Sequence, residues 1–302
     1  MRVTYEHKGL KWVDLESPTR EEVKTIMQEF RISPMVAEEL LLPATKARIE
    51  FHDGFLYLVL HFPAHSHKDH KHEQEIDFII GYNFVITTRY DHIDSLHQFS
   101  KVFEVNSILD KSEIGNSAGL VFFYMMKRLY KMVEHEVEHT RLDMIEIENR
   151  IFLGEEKQMV KALSKSGRTL LNLRQTIEPH REVLQRLENE GPRFFGPDFT
   201  PYLRALSNDY YRVHNHIMRN TESLRELRET NNGLLSTKQN ETIQMLTVLT
   251  FIFSPLALLA AVFQASQHAP FVGNAYDFWI ITLLMVLAAF FLAFYFKKRN
   301  WF

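Results

Sequence analysis

The chain contains no cysteine, and that one absence removes disulfide frameworks, thiolate metal sites and cysteine nucleophiles together. Neither sign of charge dominates: 35 Lys and Arg against 38 Asp and Glu leave a formal net charge of -3, so no global basic excess points to nucleic acid. No Walker loop, dinucleotide glycine pattern or serine nucleophile elbow occurs, which leaves an enzymatic reading almost nothing to rest on. Met1 to Gly9 is mixed and polar and lacks the apolar core of a cleavable signal peptide, so the N-terminal part is expected to stay where it is made. With 302 residues, a substantial core is affordable in surface-to-volume terms.

What the chain does have is two long uncharged runs near its end. Ile243 to Phe263 (IQMLTVLTFIFSPLALLAAVF), at about 1.5 Å per residue, spans a hydrocarbon layer of roughly 30 Å, and Phe278 to Phe296 does the same. Two such runs joined by a short polar loop predict a membrane hairpin. Lys297, Lys298 and Arg299 close the second run, whereas the loop Gln264 to Asp277 contains no Lys or Arg. Basic flanks stay inside, so both termini are expected in the cytoplasm, with the loop outside. Trp279 and Trp301 stand at opposite ends of the second span, where amphipathic rings collect.

Residues 1–115 read as a cytoplasmic α/β domain. Lys11 to Leu15, Gly54 to Phe62, Glu75 to Ile80 and Phe84 to Thr88 carry strand patterns, the last two as a hairpin around Gly81, Tyr82 and Asn83. Between the first two strands, Ser17-Pro18-Thr19-Arg20-Glu21-Glu22 has the hydroxyl, proline and acidic residues of a helix start. Residues 116–241 read as a long-helix bundle and stalk: Ala118 to Phe152, a segment ending near Glu190, and Pro201 to Asn231, with a turn expected over residues 191–197. Leu224, Leu227, Leu234 and Leu235 give the last helix a narrow apolar seam, and nothing between Ser236 and Ile243 stops it from running into the first span. Residues 242–302 form the two-helix transmembrane domain with its outer loop 264–277.

This order of parts resembles the CorA family of magnesium and divalent-cation transporters over essentially the whole chain. The resemblance rests on Trp12-Val13-Asp14-Leu15, Pro18-Thr19, Glu21-Glu22, Ile32-Ser33-Pro34 and Lys46-Ala47-Arg48-Ile49-Glu50, then the strand at Leu56 to Leu60. Near the membrane it rests on Asn240-Glu241, the Thr-rich start of the first span, Ser254-Pro255-Leu256 and the basic tail. One departure stands out: where the family carries Tyr-Gly-Met-Asn at the outer end of the first span, this chain has Phe263-Gln264-Ala265-Ser266. The family's Asn ring is thought to hold a hydrated cation at the pore mouth. Ser266 offers a shorter hydroxyl there, and Gln264 cannot relax the backbone as Gly does, which implies altered selectivity.

The resemblance implies a CorA-like funnel, a homopentamer in the cell (inner or plasma) membrane, and a divalent cation (Mg2+, Co2+, Ni2+ or Zn2+) as substrate and as regulator. No organic cofactor and no nucleic-acid partner are expected. The alternative is a non-conducting membrane sensor or scaffold on the same frame. Two helices per chain cannot enclose a wet path, so conduction needs a ring of copies. At helical spacing one face of the first span carries Ile243, Leu246 or Thr247, Thr250, Ser254, Ala257 and Ala261. Magnesium sheds water reluctantly, so a pore for the hydrated ion wants oxygen rings, which Asn240, Thr250 and Ser254 would supply. The competing reading is that such hydroxyls bond their own helix backbone. Pro255 removes one backbone bond and would kink the span.

His135-Glu136-Val137-Glu138-His139 matches a zinc-protease pattern, but it stands in a helix dense with charge and has no third ligand in context, so a solvated face is the better reading. His65, His67, His70 and His72, interleaved with charge, suit a transition-metal loop less well than a solvated hairpin loop. By the resemblance, Glu134, Glu138, Asp143 and Glu146 are candidates to hold regulatory cations between subunits.

Overall fold

The computed structural model describes residues 1–63, 73–91, 93–109, 117–265 and 277–298. Strands β1 (Arg2–His7), β2 (Leu10–Glu16), β3 (Arg48–Phe51), β4 (Phe55–Pro63), β5 (Glu73–Gly81) and β6 (Phe84–Arg89) form one sheet in the order β1-β2-β6-β5-β4-β3. Only the β2–β6 pair is parallel. Strand β4 is buried along its whole length, which is why its sequence reads as a continuous apolar run and not as an alternation. The four strands expected from the pattern are all present, with ends shifted by a residue or two. The two that the pattern did not disclose, β1 and β3, are the edges of the sheet and are short and polar.

Helices cover both faces. On one side lie α1 (Arg20–Phe30) and α2 (Pro34–Glu39), whose Val23, Ile26, Val36 and Ala37 pack with Leu40 against Val13, Leu15, Ile79 and Ile86 of the sheet. Thr19 caps α1 in a reciprocal box: its amide donates to Glu22 Oε2 at 2.9 Å, and the Glu22 amide donates to Thr19 Oγ1 at 3.3 Å. The opposite face, around Trp12, Leu58, Phe62 and Phe78, receives α3 (Asp94–Leu109), α4 (Ala118–Phe152), α5 (Glu156–Ile177), α6 (His180–Phe195) and the start of α7 (Thr200–Ala265). Helix α4 begins at the Ser117 cap, whose hydroxyl accepts from the Leu120 amide at 3.2 Å, and it covers the residues its periodicity predicted.

The expected turn over residues 191–197 is narrower than its Gly and Pro suggested. Helix α6 continues through Gly191 and Pro192 to Phe195, and the chain turns only at Gly196, φ 94°, and the short 3-10 turn Pro197–Phe199. Gly191 serves packing: a Cβ there would stand 2.7 Å from Leu203 Cδ1, so its absence lets α6 and α7 approach closely.

The described residues form two compact units, one comprising Met1–Gly154 with Gln158–Leu227, the other Glu155–Lys157 with Arg228–Phe302. Helix α7 is continuous over 66 residues, with Pro255 inside it. It is long and apolar enough to cross a membrane, and almost none of its apolar stretch is buried within the chain. Helix α8 (Asp277–Lys298) is uncharged between Asp277 and its closing Lys297 and Lys298.

Candidate functional site

Within the second unit, the end of α7 and α8 each have one half-covered stripe at helical spacing. On α7 it runs through Gln244, Val248, Ile252, Leu256 and Leu259, with Val248 wholly buried; on α8 it runs through Met285, Ala288, Ala289, Leu292, Ala293 and Phe296. The Phe251 and Phe296 rings stand 6.2 Å apart between the two helices. Three alanines on the α8 stripe leave room for backbones to approach, as membrane helix pairs require in place of a hydrophobic drive.

The face picked out from sequence lies on the other side of α7. Successive 100° steps put Ile243, Leu246, Thr250, Ser254, Ala257 and Ala261 about half a turn away from the covered stripe, and all six are exposed, as is Asn240. Beside them Phe253 and Leu258, and on α8 Phe290 and Phe291, are each more than 60% exposed. Apolar surface of this extent belongs against lipid or against other protein, not water.

Two threonine hydroxyls in the apolar part of α7 adopt the backbone-bonded geometry weighed against a pore role. Thr247 donates to the Ile243 carbonyl at 2.8 Å and Thr250 to the Leu246 carbonyl at 2.9 Å. Donation fixes the rotamer but leaves the oxygen's lone pairs as acceptors, so Thr250 keeps an oxygen on the exposed face. Pro255 lacks the amide that would bond the Phe251 carbonyl, yet the helix continues to Ala265. Gln264 and Ala265 complete α7, while Ser266 lies outside the described residues.

The acidic candidates on α4 do not converge. Glu134 pairs with Arg212 at 3.2 Å, Glu138 with Arg141 at 2.7 Å and Asp143 with His139 at 3.6 Å, while Asp143 and Glu146 are exposed. Among the described residues no three His, Asp or Glu side chains gather as a metal site, the His135 to His139 stretch included. His65, His67, His70 and His72 lie outside the described residues.

One contact in the second unit escaped sequence reading. Lys238 Nζ, five residues before Ile243, lies 2.6 Å from Oε2 of Glu156 at the start of α5, and the Glu156 side chain is almost fully buried. The partners are 82 residues apart and each is an ordinary charge in its own segment, so nothing local announces the pair.

One helix long and apolar enough to cross a membrane, followed by a second uncharged helix and preceded by an α/β domain with long helices, is the make-up of a helical membrane protein. The sequence profile of the CorA-like Mg2+ transporter protein family matches residues 7–298, and the chain belongs to that family. The cobalt/magnesium transport protein CorA of Thermotoga maritima is 23% identical, over 96% of this chain and 83% of its own length. Among solved structures, the CorA magnesium transporter from Methanocaldococcus jannaschii matches with a TM-score of 0.84 at 17% identity, over 99% of this chain and 94% of that one. The full-length CmaX protein matches with a TM-score of 0.69 at 17% identity, over 97% and 89% of the two chains.

Proposed function

We propose that the chain assembles as a homopentamer and conducts divalent metal cations across the cell membrane, with both termini and the α/β domain in the cytoplasm. The observation that carries this reading is the uncovered face of α7. Ile243, Leu246, Thr250, Ser254, Ala257 and Ala261 are turned away from the stripe that packs within the chain, so they are free to face the same residues of other copies. Five such faces would enclose a path with hydroxyl oxygens at Thr250 and Ser254 and amides at Asn240, a chemistry suited to an ion that keeps most of its water. Family membership and the cobalt/magnesium transport of the Thermotoga relative support a divalent substrate. Gln264, Ala265 and Ser266 would form the outer mouth in place of Gly-Met-Asn, which shifts selectivity away from that of proteins with the amide ring. Asp143 and Glu146, exposed on α4, would take part in cation regulation alongside carboxylates of a neighbouring copy, with Glu134 and Glu138 held by arginines.

The test is flux in proteoliposomes at a set membrane potential with magnesium, cobalt, nickel and zinc in turn, on protein verified as a folded pentamer. Ion-dependent flux is the expected result. A verified pentamer that moves none of these ions overturns conduction and favours the non-conducting sensor.

A further inference from the structure

In the first unit, on the sheet face covered by α1 and α2, β5 turns two carboxylates inward. Asp77 is 1% exposed and Glu75 6%. The register sets Glu75 opposite His61 of β4, and Asp77 between Val59 of β4 and Thr88 of β6. All four carboxylate oxygens are buried and none meets a donor in full hydrogen-bond geometry, although the Tyr90 hydroxyl stands near enough to Asp77 to favour its ionised form and thus opposes the effect of burial. His61 Nε2 comes within 3.3 Å of Glu75, but its N–H is directed to the Ala44 carbonyl at 3.1 Å. Arg48 of β3 lies over the Tyr57 ring and is engaged by Glu39 of α2 and Glu50. The remaining groups about the pair are the Tyr57 and Tyr90 hydroxyls, Thr88, and Glu73 beyond His61.

Glu75 and Asp77 stand two residues apart on one face of β5, and the Glu75 charge acts on Asp77. Two ionised carboxylates side by side at this depth repel, and an acceptor facing an acceptor makes no bond. A proton on either one converts the contact into a charge-assisted O–H···O hydrogen bond. Burial, then the Glu75 charge, push the Asp77 carboxyl well above the usual carboxylate range. Burial acts against a charged His61, yet the Glu75 carboxylate and the Ala44 carbonyl outweigh it and raise the ring, so Glu75 is the member of the pair that lies beside a basic group.

We propose that Asp77 is protonated at neutral pH and donates to Glu75, making the pair a proton-operated element beneath α2. Alkaline pH strips the proton, sets two adjacent negative charges inside the sheet and loosens the α1–α2 layer. The inference concerns the α/β domain alone and does not rest on conduction. The folded state keeps a proton that the unfolded chain releases above the ordinary carboxylate value of 3.8, so this group's contribution to stability is full below that value, falls as pH rises through the folded value, and changes no further once that proton is gone.

The test uses the full chain in detergent, combining infrared difference spectra with thermal unfolding from pH 5.5 to 9. A protonated-carboxyl C=O band is expected at neutral pH that disappears at alkaline pH and is missing in Asp77→Asn. The unfolding midpoint should fall as pH rises over this range in the wild type, through the loss carried by Asp77, and fall less in Asp77→Asn. Glu75→Gln should make the fall shallower without abolishing it, because the repulsion is removed while burial still acts on Asp77; that variant and the wild-type spectrum decide the matter if Asp77→Asn does not fold. The proposal fails if the neutral spectrum lacks the band or if the fall is undiminished in both variants. It fails equally if magnesium at constant alkaline pH restores the midpoint through these two residues, because the occupant is then a cation.

Discussion

The Tyr130 hydroxyl stands 3.0 Å from Nδ1 of His180, and Nε2 of the same ring donates to the His61 backbone carbonyl at 2.7 Å. One wholly buried imidazole thereby joins α4, α6 and β4. With Nε2 as donor, the ring is neutral and Nδ1 accepts from the tyrosine.

Burial lowers the His180 pKa from 6.5 to about 4. Between those values the unfolded chain binds a proton that the folded one refuses, so stability is full above the unfolded pKa and is lost as pH falls towards the folded one. The loss through this residue should reach about 3 kcal/mol by pH 4. Unfolding curves of wild type and His180→Gln at pH 7 and 4.5 check it: the variant should be less stable at pH 7 and lose less on acidification.

Tyr130→Phe removes the hydroxyl that donates to Nδ1 while nearly keeping the volume. A cost of about 1–3 kcal/mol is expected from the stranded acceptor. A double-mutant cycle with His180→Phe should show the two changes to be non-additive.

Arg89 lies within the sheet and contacts Asp14 at 3.0 Å and Glu16 at 2.9 Å, while Thr87 donates to Asp14 at 2.7 Å. Arg89→Ala strands the Asp14 carboxylate in a buried site and should cost about 3–5 kcal/mol. Arg141→Ala, which breaks the exposed pair with Glu138, should leave the unfolding midpoint where it was. Parallel thermal melts of the two variants measure the contrast.

Gly191→Ala sets two effects against each other. Helix propensity favours Ala by about 1 kcal/mol, whereas the Cβ must displace Leu203, which is 1% exposed, at an overpacking cost of about 1–3 kcal/mol. Net destabilisation is expected. In a Leu203→Ala background, where the space is open, the same change should become stabilising, as denaturation midpoints would show.

On the proposed conduction, flux should separate the two faces of the α7–α8 pair. Ser254→Leu places bulk on the uncovered α7 face and should reduce ion flux at least about tenfold, because a dewetted ring blocks passage. Leu287→Ala, on the outward side of α8 at 62% exposure, should leave flux unchanged. Ser266→Asn should change the order of preference among magnesium, cobalt, nickel and zinc, read from the same uptake panel.

The parts legible in the sequence are those whose signal is local. Ala118 to Phe152 shows its helical period over nearly ten turns, the Thr19–Glu22 box announces α1, and the runs at Ile243 and Phe278 announce the hairpin because lipid demands unbroken apolar length. Edge strands β1 and β3 gave little pattern, since a strand with one neighbour and polar residues resembles a loop. Gly191-Pro192 misled for the opposite reason: both residues are turn formers, but here one admits Leu203 and the other sits near a helix end.

By itself, then, the sequence determined the α/β beginning, the long helices and the membrane hairpin, because hydrophobic length and period act over a few neighbouring residues. Only the tertiary structure decided that Tyr130 meets His180, that Arg89 meets Asp14, that Glu75 and Asp77 are buried on the sheet face that α1 and α2 cover, and which side of α7 is left uncovered. The first two pairs lie 50 and 75 residues apart in the chain. The burial that gives a polar group its partner, or denies it one, is a property of the packed layers, and no short stretch of residues carries it.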